Sequence, residues 1–194
     1  MKGRVLDIGG NKIGKRGLFS PPKENIEFWE YLNIDQSTNP DYCCNADNIP
    51  LPDISIDTVI MTELLEYLPN PKKVMAEIYR VTKNGGNMLI SVPFLNPLHG
   101  DYWIDRMRYT PVSLEEMANE KGFTVKKLEP MGSVGAVVYD ILRAAFGYAD
   151  KAGRHIKWGK LLDKSQRLFF LLDQIFESQK KYINTGYFFV IQKS

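Results

Sequence analysis

Cysteine is scarce in this sequence: there are two in 194 residues, Cys43 and Cys44, side by side. Adjacent cysteines rarely bridge each other, and without histidine partners they make no zinc site. No metal site is expected, and the thiols are expected to be reduced, which points to a cytoplasmic chain. Long apolar runs are missing as well. None approaches the roughly 18 residues that would cross a bilayer. Residues 1–6 are too short on their apolar side to form a signal peptide. Charge of one sign is not in excess: the net charge is +2, which predicts no strong affinity for nucleic acid. What is present is ordinary for a globular protein, with 44% apolar and 25% charged residues. A chain of this length suits a single domain spanning residues 1–194.

Hydrophobic patterning sets out alternating elements. Strands are expected at residues 5–8, 29–34, 41–44, 56–61, 88–93, 123–128 and 186–192. Asn70-Pro71 starts a helix, with an Asn cap and proline at its first position. Val74, Ile78 and Val81 follow at helical spacing, and Asn84-Gly85-Gly86 is expected to end that helix. A second helix covers residues 111–120, capped by Thr110. Between the sixth and seventh strands lie two apolar helical stripes, one from Val134 to Phe146 and one from Leu161 to Phe176. Strands alternating with helices imply a mainly parallel sheet covered on both faces.

Four blocks carry the chemistry. Val5-Leu6-Asp7-Ile8 runs into Gly9-Gly10-Asn11, a turn that lets a ligand approach bare backbone. Position 11 is Asn, so the Gly-x-Gly-x-x-Gly of dinucleotide-binding folds is absent. Asp35, beside Gln36, ends the second strand; it is either an acceptor for ribose hydroxyls or a solvated strand end. The third block is Asn45-Ala46-Asp47-Asn48-Ile49-Pro50-Leu51-Pro52 with the strand that follows. The fourth holds Thr62-Glu63-Leu64-Leu65-Glu66-Tyr67-Leu68 and then Glu77 to Gly86.

In this order the blocks resemble the class I S-adenosylmethionine-dependent methyltransferases, type 11-like, in the subgroup acting on small molecules and glycans. The resemblance covers residues 5–123. It implies an α/β, three-layer Rossmann-like methyltransferase fold. Its seven-stranded, mostly parallel sheet would run 3-2-1-4-5-7-6, with a helical insertion at about residues 132–183. It also implies S-adenosylmethionine as cofactor. Asp7, Gly9, Gly10 and Asn11 would line its methionine end, and Asp35 with Gln36 its ribose. Asn45 stands where the family usually has Asp and would accept from the adenine amino group. Ala46 and Asp47 would flank the adenine, and Thr62 and Glu63 would lie near the sulfonium. Tyr67 stands where many relatives have His.

The chain departs from the family pattern in three ways. Asn11 and Ile13 replace later glycines of the loop. Lys12, Lys15 and Arg16 replace the usual start of a helix. The helix that relatives place ahead of the first strand is not expected here. These departures keep a second reading open: a non-catalytic relative that binds cofactor or partner. A nucleic-acid amino-methyltransferase is disfavoured, since the Asn/Asp-Pro-Pro-Tyr element is replaced by Thr62-Glu63-Leu64-Leu65.

Residues 93–110 resemble a loop of methyltransferases encoded with surface-polysaccharide genes. His99 would be the catalytic base on a sugar hydroxyl, a substrate or cofactor contact, or a structural residue. Asp101 or Asp105 would orient it. Arg106 or Arg108 would grip a phosphate or carboxylate of the acceptor, and Trp103 and Tyr109 would stack on a sugar ring. From Arg143 to Tyr182 basic residues outnumber acidic ones. The apolar stripes there are expected to pack on the sheet and on each other; the alternatives are a homodimer or lid surface, or contact with an anionic membrane carrying a lipid-linked glycan.

Overall fold

A computed structural model of the chain describes residues 1–13, 24–98, 104–146, 162 and 164–194. The strands are β1 (Gly3–Ile8), β2 (Ile26–Asn33), β3 (Tyr42–Cys43), β4 (Ile56–Thr62), β5 (Thr82–Pro93), β6 (Phe123–Met131) and β7 (Gly186–Lys193). They form one sheet in the order β3-β2-β1-β4-β5-β7-β6, with β7 antiparallel, as the resemblance implied. The helices are α1 (Pro71–Val81), α2 (Pro111–Glu120), α3 (Val134–Phe146) and α4 (Gln166–Ile175). Both predicted caps are present. The Asn70 side chain accepts from the Lys73 amide, and the Thr110 side chain accepts from the Ser113 amide. Each is followed by proline, whose missing N–H has no partner to lose at that position.

The chain divides into two compact units. The first comprises Met1–Val92, Arg106–Leu128 and Phe188–Ser194. Its core is built on β1 and β4, where Val5, Leu6, Ile8, Val59, Ile60 and Met61 are almost wholly buried. Helix α1 contributes Val74, Met75, Ile78 and Val81. The Lys193 ammonium on β7 donates to the carbonyls of Tyr79 (2.6 Å) and Thr82 (2.9 Å) and lies over the Tyr79 ring. It thereby meets the negative end of α1, where a cation is favoured. At the sheet edge, the Arg4 guanidinium pairs with Glu30 and donates to the Tyr42 hydroxyl, tying β1, β2 and β3 together. That pairing holds the Glu30 carboxyl below the usual carboxylate range.

The second unit comprises Pro93–Asp105 and Glu129–Tyr187 and contains α3 and α4. One oxygen of Asp173 on α4 accepts from the amides of Ser133 (3.1 Å) and Ala136 (2.9 Å), satisfying the start of α3. Tyr139 and Phe169 meet ring to ring at 5.4 Å. Only one side of α4 takes part. Leu168, Phe170, Leu171 and Ile175 are each more than half exposed. The expectation that the second stripe is core is therefore corrected: a helix that packs by one face on α3 leaves its other apolar residues outside.

A second correction concerns Asn84-Gly85-Gly86. Helix α1 ends earlier, at Val81, with the Thr82 hydroxyl and amide both donating to the Ile78 carbonyl. The glycines lie inside β5 instead. Pairing with β4 steps from Ile56–Thr82 to Thr58–Asn87, so residues 83–86 bulge out of the ladder. Gly85 supplies a φ of +74° to that bulge. A side chain at Gly86 would start 2.8 Å from the Lys83 carbonyl oxygen and 3.1 Å from that of Asp57. Gly85→Ala, with open space around it, should cost about 1 kcal/mol for the left-handed conformation alone. Gly86→Ala should cost more, because rigid backbone must move. Urea unfolding of the two variants tests this, and the opposite ranking would contradict the bulge geometry.

Candidate functional site

Strand β1 is paired in parallel on both sides. Ile8 lies opposite Leu32 of β2, and Asp7 opposite Ile60 of β4. The chain order moves outward from β1 in two directions, so the switch point of the sheet, where open α/β sheets bind ligands, lies at the carboxyl ends of β1 and β4. The segments that leave the four strands β3, β2, β1 and β4 meet at this edge, all within the first unit.

Gly9 and Gly10 form the turn after β1. Gly9 has a φ of +79° and its amide donates to the Leu32 carbonyl at 2.8 Å. A side chain on Gly9 would start 3.0 Å from Leu64. One on Gly10 would lie within 2.6 Å of both Asp7 carboxyl oxygens. The positive φ favours glycine at position 9, and at position 10 the Asp7 carboxyl, folded back onto the turn it precedes, occupies the space of a side chain.

The turn is linked to the end of β2 by Asn33. Its side-chain amide donates to the Gly10 carbonyl at 3.0 Å, and its side-chain oxygen accepts from the Asp35 amide at 3.0 Å. Asn33 was not singled out in the sequence. An Asn as the last strand residue before an acid is the only local signal it gives. Asp35 is fully exposed. One of its carboxyl oxygens accepts from the Ser37 amide at 2.9 Å and caps a short turn over Gln36–Thr38. The Ser37 side chain first, and its amide second, hold the Asp35 carboxyl below its ordinary value. Gln36 is exposed in the same turn.

Beyond β3, Asn45 is exposed, Ala46 is buried, and Asp47 pairs with Lys73 of α1 at 3.2 Å. At the end of β4, Glu63 adopts a φ of +49°, uncommon outside glycine. Strand β5 holds it there. The Glu63 amide donates to the Ser91 carbonyl at 3.0 Å, and the nearly buried Ser91 hydroxyl donates to the Glu63 carboxylate at 2.7 Å. Ser91, too, gave no signal, because a single serine in an apolar strand looks like any tolerated small residue. Thr62, half-buried, ends β4 just before it.

The candidate acceptor residues separate. His99, Asp101 and Trp103 lie outside the described residues, as do Lys15 and Arg16. Arg106 is exposed, and its amide donates to the Glu66 carbonyl at 3.0 Å. Arg108 is half-buried and donates to the carbonyl of Met107. Tyr109 is a correction: it is buried, with its hydroxyl donating to the Leu65 carbonyl at 3.2 Å, so its ring is not offered to an acceptor. Burial first, and the charge of Glu66 second, push its phenol up to about 12. Among the described residues no group of His, Cys, Asp and Glu is arranged to hold a metal ion. A cavity of about 1070 Å³ opens at the opposite, amino-terminal ends of β1, β2 and β4, lined by Gly3, Ile26, Asp57 and Lys83 among others. It shares no residue with the glycine turn.

Strand order, glycine turn and the strand-end residues together define the fold of the class I methyltransferases. Comparison with known proteins agrees. The methyltransferase domain family matches residues 22–90. A probable S-adenosylmethionine-dependent methyltransferase of Mycolicibacterium smegmatis is 29% identical over 93 residues, covering 42% of this chain and 34% of that protein. The chain thus matches about a third of that relative's length. Among solved structures, phosphoethanolamine N-methyltransferase 2 of Haemonchus contortus, in complex with S-adenosyl-L-methionine, superposes with a TM-score of 0.57 at 18% identity, over 99% of this chain and 49% of that one. The cyclase SpnF superposes at 0.58 with 19% identity, over 98% and 74%. At such identities the structures speak for the fold alone. The chain has the fold of the class I methyltransferases, and its residues 22–90 resemble the methyltransferase domain family.

Asn33→Ala removes two hydrogen bonds that join the glycine turn to Asp35, each contributing about 1 kcal/mol. Its affinity for S-adenosylhomocysteine should fall roughly tenfold, and its unfolding free energy by about 1–2 kcal/mol. Calorimetric titration checks this, and unchanged affinity would detach Asn33 from the site.

Proposed function

We propose that this protein is a methyltransferase that binds S-adenosylmethionine along the carboxyl edge of β3, β2, β1 and β4 and serves a small-molecule acceptor. The observation that carries this reading is the turn at Gly9-Gly10, with Gly9 at a positive φ and the Gly10 carbonyl joined through the Asn33 side chain to the backbone amide of Asp35. The donor set fits the group. Bare backbone suits the close approach of the methionine end. The exposed Asp35 carboxylate suits a pair of ribose hydroxyls, and the exposed Asn45 amide suits the adenine amino group. When bound, S-adenosylmethionine supplies an electrophilic methyl group on its sulfonium.

The chain's own part is to bind and to orient. Asp7, Gly9, Gly10 and Asn11 hold the methionine end; Asp35 and Gln36 hold the ribose; Asn45, Ala46 and Asp47 border the adenine. Thr62 and Glu63 stand at the end of β4, where the reacting methyl group would face the acceptor. In-line placement is the larger share of such a transfer, and a base is an addition to it. His99, oriented by Asp101 or Asp105, is proposed as that base, with Trp103, Arg106 and Arg108 as acceptor contacts. The acceptor we favour is a sugar hydroxyl in glycan synthesis, on the resemblance of residues 93–110 to loops of polysaccharide-associated enzymes. A non-catalytic, cofactor-binding role is the second reading, favoured by Asn11 and by Ile13, which replace glycines of the family loop.

Titration with S-adenosylhomocysteine should show saturable binding near one per chain. Asp35→Ala should weaken it by about tenfold, through loss of a two-pronged hydrogen bond. Absence of binding at millimolar ligand would overturn the reading, and unchanged affinity in Asp35→Ala would remove Asp35 from the ribose. Binding of full strength with no methyl transfer to any acceptor would favour the second reading.

A further inference from the structure

Residues 44–55, between β3 and β4, belong to no strand or helix. They begin with Asn45-Ala46-Asp47 and run through Pro50 and Pro52, which have no N–H to give. Ile49 and Leu51 are nonetheless buried. Buried backbone outside a ladder needs partners from elsewhere.

Helix α1 supplies them with side chains. The Arg80 guanidinium donates from Nη2 to the Ile49 carbonyl and from Nη1 to the Leu51 carbonyl, each at 2.8 Å. The Ile49 amide donates to the Glu77 carboxylate at 2.9 Å. Glu77 also takes the guanidinium on both its oxygens, from Nε at 2.9 Å and from Nη2 at 2.8 Å. Its grip fixes the plane in which the guanidinium reaches the two carbonyls. A planar fork can do this and an ammonium cannot. The Arg80 hydrogen bonds hold the Glu77 carboxyl below the usual carboxylate range.

The held residue connects directly to the proposed adenine border. The Asn48 amide donates to the Asn45 carbonyl at 3.1 Å and closes a turn over residues 45–48. Ile49, gripped at both its amide and its carbonyl, is the next residue. One turn earlier on α1, Lys73 pairs with Asp47 at 3.2 Å. Residues 73, 77 and 80 follow at spacings of four and three and so form one stripe of the helix. The exposed Lys73 pair adds little, and the less exposed Glu77–Arg80 pair is the firm part of the grip.

We propose that Glu77 and Arg80 are the positioning residues of the adenine end: by fixing Ile49 and Leu51 they set the turn over residues 45–48, and through it the preference of the site for the adenine amino group. This rests on the reading of Asn45–Asp47 as the border of the adenine.

Calorimetric titration of the full chain tests it with two ligands, S-adenosylhomocysteine and its 6-deamino analogue, which lacks only the adenine amino group. The parent should prefer S-adenosylhomocysteine by about fivefold or more, the worth of about one hydrogen bond. Arg80→Lys keeps the charge and loses the fork. It should weaken S-adenosylhomocysteine by about fivefold and reduce the preference below about twofold. Glu77→Gln, which frees the guanidinium plane, should move both values the same way. Val74→Ala, at a buried position of the same helix, should lower stability and leave both values as in the parent. A parent that binds without preference, variants that keep the preference, or Val74→Ala losing it equally overturns the proposal and leaves the methyltransferase reading standing. A parent that binds neither ligand overturns both.

Discussion

The parallel pairing of β1 with β2 on one side and β4 on the other is the constraint on which the site depends. A parallel strand needs a crossover to return, so each strand ends at the same edge and hands its following segment to that edge. Because the order runs outward from β1 in both directions, the segments after β1 and β4 diverge there and leave room between them. Nearly complete burial of Val5, Leu6, Ile8, Val59 and Met61 fixes the register. These include sequence neighbours buried on opposite faces of the sheet, so the core on both sides positions the edge.

On that edge the chain holds two conformations that a free peptide would avoid. Gly9 reaches a positive φ at little cost because it has no side chain. Glu63 reaches one at a cost of about 1–2 kcal/mol, and the backbone and hydroxyl of Ser91 offset it with two hydrogen bonds. The result is a carboxylate fixed in place at the end of β4 rather than one swinging on a loop. Asn33 acts in the same way from β2, using both ends of its amide to join the glycine turn to Asp35. Such links between strand ends set the spacing of these groups along the edge.

What could be read in the sequence was local. Asn70-Pro71 and Thr110-Pro111 announced their helices because a cap and the proline after it act within one turn of chain. The strand order followed from the family resemblance of the blocks from Val5 to Phe123. Where the reading failed, a distant contact decided the matter. Asn84-Gly85-Gly86 has the composition of a helix stop, yet pairing with β4 draws it into a bulge of β5. Tyr109 has the composition of a stacking platform, yet it is buried and donates its hydroxyl to the Leu65 carbonyl. Ser91 and Asn33 act on partners far away or across a turn, and neither has a neighbour pattern that betrays it. The apolar stripe of α4 showed its period but not its direction, since periodicity alone does not say which side of a helix finds a partner.

The central claim is that one extended ligand lies along this edge and touches all four strand ends. Amide chemical shifts of the uniformly nitrogen-15-labelled chain, followed as S-adenosylhomocysteine is added, test it most directly. The account predicts that the largest changes fall on Gly9, Gly10, Asn11, Asp35, Gln36, Asp47 and Glu63, and that they saturate together. Changes concentrated instead around Gly3, Ile26 and Lys83, at the amino-terminal cavity, would contradict it, as would no change at all.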